Sequence, residues 1–304
     1  MEKLLIELME KNRHLTRYGK VADYIPALAK ASSNDIGVCI IDMDGNICGS
    51  GDYKKKFTIQ SISKVITLLL ALVDRGTKEV FSKVGMKPTT ESFNSLYKMD
   101  LFSGSKPSNP MMNSGAIVTT SLIEGNGKEK FNRILDITRK ITSNNKLNYN
   151  EEVYLSEKNT ADKNRAIAYL LKNMKILDED VEEILDTYFK QCSIEVDCAD
   201  LAKIGLFFAN KCKSPSIIES NNEDIATLIT TIMSTCGMYD FSGEYAVKVG
   251  VPSKSGVSGG ILATVPGRFG IGIYGPSLDR YGNSIVGCEI MKDLSKELNL
   301  NIFR

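Results

Sequence analysis

Nine residues, Val65 to Val73, are apolar apart from Thr67 and are closed by Lys64 and Asp74. The stretch is well short of the ~20 residues that cross a bilayer. It repeats with a period near 3.6: Ile62, Val65, Ile66, Leu69, Leu70 and Val73 share one face, and Leu68 and Leu72 extend it to the others. A helix that is apolar nearly all round is stable only inside a protein. The chain is therefore expected to fold around this helix, with Gly76 as its stop.

The cover comes from both directions. Ile36 to Asp42, the Asp44-Gly45 turn and the residues from Ile47 onward read as a β-hairpin. Helical periodicity then dominates over Ile117 to Ile123, Lys130 to Ile141, Ala161 to Lys172, Asp180 to Tyr188 and Cys198 to Asn210. After Tyr245 the pattern returns to β-like runs, Gly260 to Val265 and Phe269 to Tyr274, then a Gly275-Pro276 turn and an amphipathic helix around Ser284 to Leu298. Sequential strands usually pair and an open sheet must bury its face. The expectation is an α/β (α+β) fold: one antiparallel sheet built from both chain ends, flanked by helices, with a mostly helical middle. Residues 1–304 form one domain in this reading, 1–60 and 245–304 supplying the sheet-containing layer and 61–244 the mainly helical part. The Asn-rich stretch Ser143 to Asn150 reads as a surface loop, with covering a site as the alternative.

Composition removes several classes of function. In 304 residues, 38 Lys plus Arg balance 37 Asp plus Glu, a net charge of +1, which argues against a nucleic-acid or anionic-membrane partner. Hydrophobic residues at 42% and a mean hydropathy of -0.12 fit a globular chain with a well-buried core. The first ten residues carry Glu2, Lys3, Glu7 and Glu10 at helical spacing and read as an amphipathic surface helix, not a secretory signal. Seven cysteines, an odd number with no C-x-x-C pair, suggest neither disulfides nor a zinc site, and a cytoplasmic location is expected. His14 is the only histidine, in a polar stretch, so Ser-His-Asp triads, Cys-His pairs and His-rich metal sites are excluded.

Ser61-Ile62-Ser63-Lys64 heads the apolar helix as an S-x-x-K motif. Residues three apart share a helix face, so the lysine amine sits beside the hydroxyl, and the helix N-terminus favours a developing negative charge. Ser95 to Lys98, Ser103 to Lys106 and Ser143 to Lys146 have the same spacing, but none heads an apolar helix. The plainer alternative is that Ser61 is an N-cap and Lys64 a solvated first-turn residue. A lysine there opposes the helix dipole, and burial beside the apolar helix would lower its pKa and make it a base. Lys254-Ser255-Gly256, followed by Val257-Ser258-Gly259-Gly260, is a K-[ST]-G element, the partner signature of S-x-x-K acyl-transfer enzymes. Its glycines allow close backbone approach, and a strand-edge N–H there can share an oxyanion hole with the nucleophile's own N–H; alone it would read as a Gly-rich turn. The two motifs together, in this order, point to a serine-lysine acyl enzyme. A proton carrier is still needed. Tyr239, in the run Cys236 to Gly243, is the best placed, and a buried aromatic with a satisfied hydroxyl is its other reading.

With these motifs in place, longer blocks resemble the serine-dependent glutaminase family, of the short single-domain bacterial type, which shares the β-lactamase and penicillin-binding-protein-like fold. They are Asp23 to Pro26, Phe57 to Lys64, Asn109 to Ala116, Ser156 to Asn159 with Asn164-Arg165, Tyr188 with Cys192 to Glu195, and Cys236 to Gly260. They follow in order along most of the chain. The resemblance implies hydrolysis of L-glutamine to L-glutamate and ammonia. It implies Ser61 as nucleophile, Lys64 as its base, Tyr24 and Tyr239 for proton transfer and hydrogen bonding, and the backbone N–H groups of Ser61 and Val257 as oxyanion donors. Gln60, Asn113, Glu157, Asn164 and Tyr188 would line the substrate pocket with them. Glutamine carries an ammonium and a carboxylate, so an anion such as Glu157 suits the first and neutral donors such as Asn113 and Tyr188 the second. Without the resemblance, Glu157 reads as a solvated loop charge, Asn113 and Asn164 as turn or capping residues, and Tyr188 as part of a helix's apolar face.

No metal or organic cofactor is implied. The resemblance implies a homodimer or homotetramer and leaves no room for the targeting segments and ankyrin repeats of larger members. A β-lactamase or penicillin-binding peptidase-type serine hydrolase is the runner-up, sharing both motifs but expected in the cell envelope. A catalytically silent ligand-sensing scaffold is the third reading, against which Ser61, Lys64 and Tyr239 stand intact.

Overall fold

The computed structural model describes residues 1–88, 106–214 and 223–304. Helix α1 (Glu2–Asn12) leads into strands β1 (Gly37–Asp42), β2 (Ile47–Gly51) and the two-residue β3 (Phe57–Thr58). A 3-10 turn at Gln60–Ile62 opens into α2 (Ser63–Lys83), and α3 (Asn113–Leu122), α4 (Gly127–Thr142), α5 (Glu151–Asn159), α6 (Asp162–Asn173) and α7 (Val181–Cys192) follow. The short β4 (Glu195–Val196), α8 (Cys198–Ala209), α9 (Glu223–Cys236) and α10 (Ser242–Lys248) precede β5 (Ser253–Ser255), β6 (Gly260–Val265), β7 (Phe269–Tyr274) and α11 (Ile285–Glu297).

Five strands form one antiparallel sheet in the order β2-β1-β7-β6-β5, so the hairpin from the chain's start pairs directly with the strands from its end. That is the sheet expected from the two ends, and the middle is helical as expected. Strand alternation sorts its faces. Val38, Ile40, Ile261, Ala263, Ile271 and Ile273 point into a core shared with α1 and α11. On the other face β7 presents Gly270 and Gly272, and α8 lies almost on the backbone: a Cβ on Gly270 would come 1.9 Å from the Ala202 carbonyl oxygen, and one on Gly272 2.1 Å from that of Cys198.

The apolar run is the core of the helical half. Val65, Leu68, Leu69 and Ala71 are wholly buried against α3, α4 and α9. Gly76 does break the helix, at φ +71°, but a further helical stretch continues to Lys83 beyond the kink.

Candidate functional site

The sheet half and the helical half meet at the Gln60–Ile62 turn. Its Gln60 holds a left-handed φ of +51°, and the end of β5 closes on it so tightly that a Cβ on Gly256 would lie 2.9 Å from the Ile59 carbonyl oxygen. Glycine at 256 is thus what allows the K-S-G strand to reach the S-x-x-K turn. Of the competing S-x-x-K matches, Ser143 caps the end of α4, and Ser95 to Lys98 and Ser103 to Ser105 lie outside the described residues.

Of the residues singled out from sequence, Tyr24, Gln60, Ser61, Asn113, Glu157, Asn164, Tyr188 and Val257 line one cleft of about 270 Å³. Lys64 and Tyr239 stand behind its wall, both buried. Lys64 is wholly enclosed, and burial draws its pKa down to about 8. Its amine donates to Asn113 Oδ1 at 2.7 Å and to the Met111 carbonyl at 3.2 Å. A solvated Lys64 is ruled out by that geometry.

Tyr239 reaches the site from the opposite side. Its hydroxyl lies within hydrogen-bonding reach of Ser61 and donates to the Ser255 carbonyl at 3.2 Å. Burial holds that phenol well above its usual pKa, so it stays protonated. Its backbone adopts φ +56°, a strained conformation for a bulky residue, fixed by Ser242 Oγ, which donates to the Tyr239 carbonyl at 2.6 Å and accepts from the Met238 N–H at 2.9 Å. Tyr24 stands at the mouth, 49% exposed. Burial of its hydroxyl end, with Tyr239 and Glu157 close by, raises its pKa.

Asn113 is the hub. As the first residue of α3, its Oδ1 accepts from Lys64 and from the Tyr188 hydroxyl at 3.2 Å, and its Nδ2 donates to Asn164 Oδ1 at 3.1 Å, which fixes the amide's orientation. Glu157 sits on α5, not in a loop, and is 7% exposed with Oε1 lacking a hydrogen-bond partner. Burial pushes its pKa up to about 7, with the Gln60 amide and Lys64 opposing. A carboxylate in that position invites a cation. The backbone N–H groups of Ser61 and Val257 meet no backbone acceptor among the described residues.

Two features of the cleft had no signal in spacing or periodicity, and a third residue behind it was recognised only as part of a motif. Cys192, at the end of α7, lines the cleft with its thiol held protonated by burial. Residues 160–163, between α5 and α6, form its outer wall. Lys254, whose motif was recognised without a role for the amine, is wholly buried 4.5 Å from the centre of the Tyr239 ring and donates to the Ser255 carbonyl at 2.5 Å.

Comparison with known proteins follows the same lines. The family model described as Glutaminase matches residues 19–303. Glutaminase 2 of Clostridium perfringens is 54% identical over 309 residues, covering 100% of both chains, and the glutaminase of Clostridium tetani is 53% identical over 305 residues, again covering 100% of both. Among solved structures, the probable glutaminase from Bacillus subtilis complexed with 6-diazo-5-oxo-L-norleucine superposes with a TM-score of 0.89 at 38% identity, covering 99% of this chain and 97% of that one. The covalent complex of a Bacillus subtilis glutaminase with 5-oxo-L-norleucine, formed by reaction with 6-diazo-5-oxo-L-norleucine, gives 0.87 at 38% identity over 99% of each chain. Such structures share the β-lactamase-like fold described above. A cleft with a serine, a low-pKa lysine and a buried carboxylate, and a likeness that runs the length of the sequence, point the same way: the chain belongs to the glutaminase family.

Proposed function

We propose that this chain hydrolyses L-glutamine to L-glutamate and ammonia through an ester on Ser61. The observation that carries the reading is Lys64: a wholly buried amine with its pKa drawn down to about 8, three residues from a serine that opens into a substrate-sized cleft. Ser61 Oγ adds to the side-chain amide carbon and gives its proton to Lys64. The N–H groups of Ser61 and Val257 hold the oxyanion. Tyr239 passes a proton to the departing nitrogen, with Tyr24 hydrogen-bonded at the mouth, and the C–N bond breaks to release ammonia. Lys64 passes the serine proton on to Tyr239, restoring amine and phenol; water then adds to the glutamyl ester while Lys64 takes its proton, and Ser61 leaves with that proton returned to its oxygen. Electrons and protons balance without a metal or organic cofactor.

Substrate orientation follows from charge. Glu157 takes the α-ammonium, and neutral donors such as Asn113 and Tyr188 take the carboxylate, with Gln60 and Asn164 lining the pocket beside them. The covalent complex formed by the Bacillus subtilis glutaminase with 6-diazo-5-oxo-L-norleucine supports a nucleophile in this cleft. Treating the protein with that reagent and mapping the adduct by mass spectrometry tests the assignment. The label is expected on Ser61 and lost in Ser61→Ala; a label on another residue would overturn it.

The same reading places the protein in the cytoplasm as a homodimer or homotetramer. Its seven cysteines are all free, which suits a reducing compartment. Among the described residues no helix is long and apolar enough to cross a membrane. Cell fractionation and light scattering on the purified protein read the location and the assembly.

A further inference from the structure

Glu157 presents a physical problem that the cleft itself does not solve. A buried carboxylate with an unpartnered oxygen gains by swinging toward water, and α5, which carries it, is only nine residues long. Two bonds hold α5 from the sides away from α7: Asn150 caps the Val153 N–H at 2.9 Å at its start, and Ser156 Oγ, next to Glu157, accepts from the Ala27 N–H at 3.2 Å. Toward α7, the face of α5 that bears Glu157 is tied through the Asp186 carboxylate. That carboxylate accepts from Lys158 at 2.6 Å and from the Tyr154 hydroxyl, both on α5, and from Lys190 on α7 at 2.7 Å. Both lysine amines lie 5.4 Å from the centre of the Tyr154 ring, which they flank. Tyr154, Glu157 and Lys158 occupy positions i, i+3 and i+4, so the staple and the buried carboxylate share one face of α5. The other end of the staple is also tied to the cleft, because α7 carries Tyr188 and Cys192.

We propose that Asp186 is a positioning residue for substrate binding: by tying Tyr154 and Lys158 to α7 it keeps Glu157 inside the cleft, facing Tyr188 and the incoming ammonium. Asp186 touches neither substrate nor Ser61, so its effect belongs to binding and not to the chemical step. Although partial burial acts against it, hydrogen bonds from Lys158, Lys190 and Tyr154 hold its carboxyl down to about 2, so the staple is ionised throughout the working range. The proposal rests on the reading of Glu157 as the partner of the substrate ammonium.

Steady-state kinetics on Asp186→Asn, Asp186→Glu, Glu157→Gln and the Asp186→Asn/Glu157→Gln double variant of the full chain test it. Asp186→Asn should raise KM for L-glutamine about tenfold while kcat stays within about threefold. Asp186→Glu should recover most of that loss, and the double variant should be no worse than Glu157→Gln alone. If Asp186→Asn fails to fold, Lys158→Met removes the α5 side of the staple and should show the same KM-selective loss. A normal KM in Asp186→Asn beside an impaired Glu157→Gln overturns the positioning role alone, as does a fall in kcat at unchanged KM or a fully additive double variant. A normal KM in Glu157→Gln overturns the ammonium reading beneath it.

Discussion

At the scale of the residue, the proposed chemistry rests on two buried groups, Lys64 and Glu157, both held away from their ordinary ionisation by burial. Lys64→Ala should lower kcat by about 10²- to 10⁴-fold, the usual weight of a proton-transfer group, with thermal unfolding near that of the parent; near-normal turnover would remove Lys64 as the base. The pH profile follows from the signs. In the proposed roles Lys64 would serve as a base only when neutral, above about 8, and Glu157 would attract an ammonium only when ionised, above about 7. Log kcat/KM should therefore rise with pH on a limb whose slope approaches about two, falling to about one in Glu157→Gln. A slope independent of Glu157 would contradict its role. Stability moves the other way: the pKa of Glu157 is higher in the folded protein than in the unfolded chain, so it favours folding at low pH and loses that contribution as pH rises through about 7. Glu157→Gln should abolish that decline. Ser61 and Lys64 were legible because an apolar helix followed their spacing. Glu157 was not, apart from the family resemblance, since no local pattern marks a helical carboxylate that tertiary packing turns inward. Cys192 stood in a block of the resemblance, but nothing local gave its thiol a place in the cleft.

Elements were legible in proportion to their periodicity. β6, β7 and α8 lie within a residue of their expected bounds because their apolar positions repeat without interruption. Helix α5 escaped notice because EEVYLSEKN groups its apolar residues together and lacks a stripe, and α10 because seven residues scarcely make two turns. β3 and β4, two residues each, are defined only by pairing with each other. The glycines of β7 show how an element's sequence reports a neighbour: they are spaced by two because α8 needs that face bare. Gly270→Ala should destabilise the protein by about 3 kcal/mol or more, since its methyl would sit 1.9 Å from a backbone oxygen; an unchanged melting temperature would contradict this contact.

At the scale of the whole molecule, the cleft lies where the two-ended sheet meets the helical middle, with Ser61 and Val257 contributed by strand-side segments and Asn113, Glu157, Asn164 and Tyr188 by helices. Substrate binding should therefore hold the two parts together. In Ser61→Ala, which cannot form the ester, L-glutamine at a hundredfold excess over its Kd should stabilise the fold by about 2.7 kcal/mol, and L-asparagine at the same concentration by less. Equal shifts for both would contradict a cleft sized for the longer chain. The pairing of the chain's two ends was readable from strand order rules, and the approach of the K-S-G strand to the serine turn from its motif and glycines, but the contact of Gly256 with Ile59 was not, because close backbone approach leaves only a glycine in the sequence. The central claim is tested most directly by ammonia release from L-glutamine by the purified protein beside Ser61→Ala, with L-asparagine and a chromogenic β-lactam as alternative substrates. The account predicts release from L-glutamine that Ser61→Ala abolishes. β-Lactam turnover without release from L-glutamine, or release that survives in Ser61→Ala, would contradict it.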